Sequence, residues 1–164
     1  MSNEAGHTLS EIASEIREAL NAGLNAQALD LARGATIDAA NTDEIRYLGA
    51  LASARMGAIG EAEKWLAQVD REPLRDRALA VEVWSLAGRI AKERYAATRD
   101  KASVAAHDLA RAAIDNYQRA FSLSGAAYPA VNAATMTMLA GDAPGAFALA
   151  RQALATLSAP VDHW

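Results

Sequence analysis

Residues 23–28 read Gly-Leu-Asn-Ala-Gln-Ala, and residues 57–62 read Gly-Ala-Ile-Gly-Glu-Ala. Both stretches place a glycine at the first position and an alanine at the sixth, so the pair Gly23 and Ala28 returns as Gly57 and Ala62. A glycine can end a helix in the left-handed conformation, and an alanine early in the next helix lets the two helix backbones approach closely. The repeat therefore predicts pairs of antiparallel helices that are joined by short turns.

The same glycine and alanine pair returns near the end of the chain, and related residues mark a further unit in between. The repeat positions are Gly23, Ala28, Gly57, Ala62, Trp84, Gly88, Ala113, Tyr117, Gly141 and Ala146. The interval from Gly88 to Ala113 is about twice as long as in an ordinary repeat, where about 12 residues separate the equivalent positions. We therefore expect about 13 inserted residues in this third unit, as extra turns on both of its helices.

The interval from Gly23 to Gly57 matches the period of about 34 residues that is typical of tetratricopeptide repeats, in which stacked helical hairpins bury a continuous core. Capping residues, glycine stops and apolar spacing predict eight helices and no strand. The expected bounds are about 8–22, 25–40, 42–57, 60–69, 74–98, 102–123, 128–140 and 144–157. The predicted fold is all-α, a right-handed solenoid of about four antiparallel helical hairpins with the third hairpin extended. We expect a single domain over 8–157, a flexible N-terminus over 1–7 and a tail over 158–164.

The composition favours helix packing and argues against several classes of function. Apolar types make up 52% of the 164 residues, but alanine dominates them and aromatic residues reach only 5%. The formal charge of -4 argues against nucleic-acid binding, which needs a basic face. Cysteine is absent, which removes disulfides and thiolate metal sites, and no apolar run approaches the length of a membrane span. The N-terminus does not read as a signal peptide, so we expect a cytoplasmic protein without membrane binding.

The sequence carries none of the common catalytic or cofactor motifs. It lacks Gly-x-Ser-x-Gly, and it lacks a glycine-rich turn that ends in Gly-Lys-Ser/Thr. His7, His107 and His163 are far apart in sequence, whereas a metal needs three or four converging ligands. We therefore expect no enzymatic activity, no metal and no cofactor.

Three stretches in the second half of the chain are more specific. Residues 85–95 read Ser-Leu-Ala-Gly-Arg-Ile-Ala-Lys-Glu-Arg-Tyr, residues 113–121 read Ala-Ile-Asp-Asn-Tyr-Gln-Arg-Ala-Phe, and residues 128–135 read Tyr-Pro-Ala-Val-Asn-Ala-Ala-Thr. Together they resemble the TRAF-binding region of the apoptosis signal-regulating kinases and its bacterial relatives, over about residues 84–153. The resemblance implies a helical-repeat regulatory module, which in bacterial relatives commonly stands beside a signalling or effector domain.

The resemblance has both matches and departures. The matching residues are Gly88, Arg89, Ile90, Lys92, Asn132 and Ala134. The departures are Glu93 in place of an aspartate, Tyr95 in place of a phenylalanine, and Ala130 with Val131 in place of a Gly-Ile pair. Most of these positions pack helices, so the resemblance says more about the fold than about a partner.

We expect the function to be protein binding without chemistry, because the inner helices of such repeats line a concave face that can hold a peptide or a helix. The predicted contacts with a partner are Arg46, Arg55, Arg89, Lys92 and Asn132. Arg89 and Lys92 belong to the most concentrated basic run, which could meet an acidic partner helix or tail. The run could instead form a charged outer face that is paired with Glu93 and Asp100.

Two other functions stay open. The first is self-association as an oligomerisation domain, because a hairpin stack without a polar capping helix leaves apolar end surfaces that a second copy could cover. The second is a small-ligand sensor that uses a pocket under the extended third hairpin, although the sequence offers no set of converging polar residues for it.

Seven large side chains are expected in the core rather than in a binding groove, since they occupy positions that face other helices. They are Trp65, Trp84, Tyr95, Tyr117, Phe121, Met136 and Met138. Trp164, in the tail, has no sequence-local reason to be buried.

Overall fold

The computed structural model describes residues 8–35, 43–70 and 76–158. Within these ranges it contains eight α-helices and no strand, which confirms the predicted all-α fold. The helices are α1 (Leu9–Asn21), α2 (Asn25–Ala35), α3 (Asp43–Arg55), α4 (Ile59–Leu66), α5 (Arg77–Ala97), α6 (Val104–Ser124), α7 (Ala127–Leu139) and α8 (Ala143–Ser158). The N-terminal residues 1–7, the predicted helical residues 36–40, 42, 74 and 75, and the tail residues 159–164 lie outside the described residues.

Side chains cap the starts of α1, α5 and α6. At α1, the Thr8 N–H donates to Glu11 Oε2 at 2.7 Å and the Glu11 N–H donates to Thr8 Oγ1 at 3.3 Å. This reciprocal pair satisfies backbone donors that the first helical turn leaves open. Asp76 and Ser103 cap α5 and α6 by accepting backbone N–H bonds. Their positions explain why α5 and α6 begin slightly later than expected.

Three repeat glycines end their helices in the same way. Gly23, Gly57 and Gly141 have φ angles of 77°, 76° and 91°, which glycine adopts without a steric cost. In each case the next residue's N–H donates to the carbonyl five residues before it, over 2.9, 2.9 and 3.1 Å. This pattern is the Schellman motif. The sequence repeat therefore corresponds to a repeated turn in three dimensions.

The chain divides into two compact units, Met1–Pro73 and Leu74–Trp164. In the first unit α1 packs against α2, both pack against α3, and α3 packs against α4. Trp65 of α4 is buried against the backbone of α3, where a Cβ at Gly49 would lie 2.9 Å from two of its ring atoms. The glycine therefore sets how closely these two helices approach.

In the second unit α5 packs against α6, α6 against α7, and α7 against α8. α5 and α6 have 21 residues each, whereas α3 has 13 and α4 has 8. The extra turns expected in the third hairpin are therefore present on both helices. In the core of this unit Tyr95 packs with Ala106 and Ala110, and Met136 of α7 belongs to the same cluster.

Most of the side chains that were predicted for the core are buried. Trp65, Tyr95, Tyr117 and Met136 expose 8%, 9%, 0% and 0% of their surface. Trp84 and Phe121 are only half-buried. Met138 is 44% exposed, so its assignment to the core was wrong. It lies about 200° around the helix from Met136, because each residue of an α-helix turns by about 100°.

Candidate functional site

A hydrogen bond joins α5 to α7 at the surface of the second unit. Lys92 Nζ donates to Asn132 Oδ1 at 2.7 Å, and both side chains are half-buried. Asn132 Nδ2 donates to the Tyr128 carbonyl at 2.9 Å, which holds the amide with its oxygen toward Lys92. An ammonium group has three N–H donors, so Lys92 can donate to a further acceptor besides Asn132.

An ion pair lies beside this bond on α5. Arg89 Nε donates to Glu93 Oε1 at 2.6 Å, one helical turn further on, and each side chain is about one-third exposed. The pairing with Glu93 that the sequence left as an alternative is therefore present. A guanidinium has five N–H donors, so this pairing at Nε is compatible with a further contact from Arg89.

Tyr117 of α6 is buried among the same groups. Its ring centroid lies 5.9 Å from Lys92 Nζ, and the Tyr128 ring meets it edge-on at 6.3 Å and 81°. The Tyr117 hydroxyl is buried and makes no hydrogen bond of good geometry, although its neighbour Tyr128 interacts with it. Burial, and then the neighbouring Tyr128, raise the pKa of this hydroxyl, so Tyr117 stays neutral. The cluster therefore consists of a charged rim from α5, an amide from α7 and a buried phenol from α6.

The other two predicted contact residues, Arg46 and Arg55, lie in the first unit. Arg46 Nη1 donates to Asp43 Oδ1 and to the Gln68 carbonyl, both at 3.1 Å. Arg55 Nη1 donates to the Leu20 carbonyl at 2.7 Å, at the end of α1. These bonds tie α3 to the ends of neighbouring helices. The structure thus brings Lys92 and Asn132 together, near Arg89, and gives Arg46 and Arg55 partners within their own unit.

Exposed apolar side chains continue along α7. Tyr128, Val131, Met138 and Leu139 expose 57%, 50%, 44% and 55% of their surface. Their spacing places them along one side of the helix, which is also the side of Asn132. This surface was not predicted. The signal that could have found it is the absence of any charged residue in the 13 residues of α7.

A groove of about 670 Å³ lies between α1 and α2 of the first unit. Ile12 and Leu31 contribute apolar surface to it, and Glu15 and Asp30 contribute carboxylates. A neighbouring groove of about 340 Å³ shares Glu15 and Leu31. The small-ligand sensor that the sequence left open as an alternative would use a different place, a pocket under the third hairpin.

The described ranges offer neither a metal site nor a membrane-spanning helix. Residues 8–35, 43–70 and 76–158 contain no group of three or more histidine, aspartate or glutamate side chains that could hold a metal ion. None of the helices in this part of the chain combines the length and the apolar character that crossing a bilayer requires. What the α5–α7 surface offers is N–H donors next to exposed apolar side chains, a combination that protein interfaces use.

Paired helices that are joined by repeated Schellman turns define a helical-repeat protein of the tetratricopeptide type. The family model described as Tetratricopeptide Repeats-Sensor (TPR-S) matches residues 14–137, from α1 into α7. This match covers more than half of the 164 residues, and the chain belongs to that family. Lys92 and Asn132 lie within the matched range. No curated protein matches the chain.

Proposed function

We propose that the chain is a non-catalytic protein-binding module that holds a peptide or a helix of a partner on the surface shared by α5 and α7. The observation that carries the proposal is the 2.7 Å bond between Lys92 and Asn132, next to the exposed side chains of Tyr128 and Val131. Family membership supports it, because tetratricopeptide-type repeats typically bind proteins and are generally not catalytic.

Lys92 is the polar anchor of this proposal. The Lys92 side chain is half-buried and its ammonium group is held by Asn132. Lys92 therefore loses less conformational entropy when a partner binds it. Hydrogen bonds from a charged donor are roughly twice as strong as neutral ones. The matching group on the partner is an acceptor, either a carboxylate or a backbone carbonyl. Arg89, with Nε on Glu93, offers terminal N–H groups to the same partner.

The exposed side of α7 supplies the apolar part of the surface. Tyr128 and Val131 lie one turn apart and expose 57% and 50% of their surface. Aromatic and apolar anchors that become desolvated carry most of the energy at protein interfaces. A partner segment with apolar residues on one side and an acidic residue near Lys92 would complement both parts.

A regulatory or scaffolding role in bacterial-type signalling is proposed together with this surface. It is supported by the resemblance of residues 84–153 to the TRAF-binding region of apoptosis signal-regulating kinases and its bacterial relatives. The expected location for such a role is the cytoplasm. The partner would then be a signalling or effector protein.

Affinity pull-down from the source cells with quantitative mass spectrometry tests the proposal. The baits are the unchanged chain, the Arg89→Glu, Lys92→Glu double variant, and Arg111→Glu as a control on an exposed position of α6. We expect a partner whose recovery falls at least about tenfold with the double variant only, while helical circular dichroism is unchanged. Equal recovery of every partner by all three baits would overturn the α5–α7 surface.

A second candidate function is the sensing of a small ligand. It is favoured by the buried Tyr117 hydroxyl that makes no hydrogen bond of good geometry, a group that a ligand could satisfy. The description of the family as a sensor fits this candidate as well. Native mass spectrometry of the purified chain tests it: an added small mass that Tyr117→Phe removes supports ligand binding at this site, and retention of that mass argues against it.

A further inference from the structure

We propose that copies of this chain associate head to tail, with α8 of one copy packed into the groove between α1 and α2 of the next copy. A second copy of the chain would cover two features of the structure. These are a row of exposed apolar side chains on α8 and an apolar groove with carboxylates on its edge. The association does not rest on the proposed function, because α5 and the Lys92 cluster take no part in it.

α8 exposes a row of large apolar side chains. Phe147, Leu154 and Leu157 expose 62%, 62% and 69% of their surface. Their spacing in the sequence, two turns and then one turn, places them along one side of a helix. Arg151 is exposed one turn from Phe147 and is the single charged residue in α8. The helix therefore presents an apolar ridge that carries one positive charge.

The groove on the first unit has the complementary character. Ile12 and Leu31 line it with apolar surface, and Glu15 and Asp30 contribute carboxylates, of which Asp30 also accepts a hydrogen bond from Arg33 Nη1 at 3.3 Å. The smaller neighbouring groove shares Glu15 and Leu31 and adds Glu18. Among the described residues that line the two grooves, none is lysine or arginine. An apolar ridge with a single arginine matches this lining in both polarity and charge.

The packing within the first unit shows that the α1–α2 hairpin accepts a helix on another of its sides. α3 packs against both α1 and α2, and the side chains buried in that unit include Ile16 and Ala28. The groove residues Ile12 and Leu31 are only half-buried, and Ile12 lies one turn before the buried Ile16, so the groove borders that core. A second helix on the groove side would repeat the helix-on-hairpin packing from which these repeats are built.

The proposed contact is heterologous, since it joins two different surfaces. Each copy carries one ridge and one groove, so a dimer retains a free surface of each kind and can add further copies. One helix in one groove buries less than the roughly 1,200–2,000 Å² of a standard interface, so the contact should be weak and reversible. We expect dissociation constants on the order of micromolar or weaker.

Sedimentation velocity over a concentration series tests the association. The unchanged chain should shift to larger species as its concentration rises. Phe147→Glu on the ridge and Glu15→Arg at the exposed edge of the groove should each weaken association at least about tenfold. Val104→Glu is the matched control, because Val104 is 77% exposed and α6 contributes no residue to the ridge or to the lining of the groove. A chain that stays monomeric to about millimolar concentration would overturn the proposal.

Mixing variants tests whether the contact is head to tail. Phe147→Glu has an intact groove and Glu15→Arg has an intact ridge, so the mixture should form a dimer that grows no further. Combining Arg151→Glu with Glu15→Arg in one chain should restore association, since the two charges are then exchanged. If instead the same surface of two copies formed the contact, mixing the two variants would produce no additional dimer. That result would contradict the assigned contact. Circular dichroism of each variant verifies that the helices are intact.

Discussion

The ring of Tyr117 lies against the backbone of Gly88, so close that a Cβ at residue 88 would stand 2.8 Å from Tyr117 Cγ. Trp65 and Gly49 have the same relationship in the first unit, at 2.9 Å. Gly88 and Tyr117 are further apart in the sequence than Gly49 and Trp65, by the length of the insertion inferred for the third repeat unit. In both hairpins an aromatic ring of the second helix thus packs against a glycine of the first helix. The third hairpin has this contact despite its added turns.

Gly88→Ala is expected to lower the free energy of unfolding by about 1–3 kcal/mol, the usual cost of overpacking a core. The added methyl would press on Tyr117 Cγ, the atom at which the ring joins the chain and which has little freedom to move. This cost exceeds the gain of up to about 1 kcal/mol that alanine brings to a helix. Urea unfolding followed by circular dichroism measures the net change.

Gly60→Ala is the control for the glycine substitution. Gly60 lies in α4, and a Cβ there meets no atom within 4 Å. This variant should gain up to about 1 kcal/mol, because only the helix propensity changes. If Gly88→Ala and Gly60→Ala stabilised the protein alike, the Tyr117 ring would not restrict residue 88.

The helix ends were predictable because their signals are local. Thr8 and Glu11 cap α1 through bonds that span three residues, and Gly23 and Gly57 adopt a conformation that few other residues tolerate. The length of the third hairpin was also predictable, since it follows from counting residues between repeat positions. The caps and the glycine turns depend on the chain only within one or two helical turns, and the hairpin length depends only on the number of residues along the chain.

The contacts between helices were less predictable. Lys92 and Asn132 were each chosen as polar positions of inner helices, but their bond depends on how α5 and α7 are rotated about their axes. Arg55 was chosen on the same grounds, and it binds the Leu20 carbonyl instead. The groove between α1 and α2 has no motif at all, because its lining comes from ordinary helix residues. The periodicity of a sequence shows on which side of its own helix a residue lies. It does not show where the neighbouring helix is.

Tyr117→Phe is expected to raise the free energy of unfolding by about 1 kcal/mol, because it removes a buried hydroxyl that makes no hydrogen bond of good geometry. The ring and its contact with Gly88 are retained. Tyr128→Phe is the companion variant: Tyr128 is 57% exposed, so its own effect on stability should be small, and it removes the neighbouring hydroxyl that acts on Tyr117. Thermal and urea unfolding of the three proteins provide the comparison. A loss of stability in Tyr117→Phe would mean that the hydroxyl does bond within the fold.

The stability contributed by neutral Tyr117 should depend on pH above about 10. Burial raises the pKa of Tyr117 in the folded protein, whereas a tyrosine in the unfolded chain titrates near 10. As the pH rises past that value, the unfolded chain releases a proton that the folded protein keeps. Stability is therefore fully present below pH 10 and is lost above it, by up to about 1.4 kcal/mol per pH unit for this group.

Urea unfolding of the unchanged protein and of Tyr117→Phe, between about pH 8 and 11, isolates this contribution. Other groups titrate in the same range, but they are common to both proteins. The stability of the unchanged protein should fall more steeply than that of the variant above pH 10. Parallel profiles would show that Tyr117 ionises equally in the folded and the unfolded chain.

The bond between Lys92 and Asn132 should appear as a coupling free energy in a double-mutant cycle. Lys92→Met keeps most of the side-chain stem and Asn132→Leu keeps the volume, so each single variant removes the 2.7 Å bond with little loss of packing. We expect a coupling of about 1 kcal/mol, at the lower end for a charged donor because both side chains are half-exposed. Arg94→Met with Asn132→Leu is the control, because Arg94 is an exposed residue of the same helix, and this pair should be additive. Additivity of the Lys92 and Asn132 substitutions would mean that the bond does not stabilise the fold, and the α5–α7 surface would then lack the preorganised anchor on which its proposed binding depends.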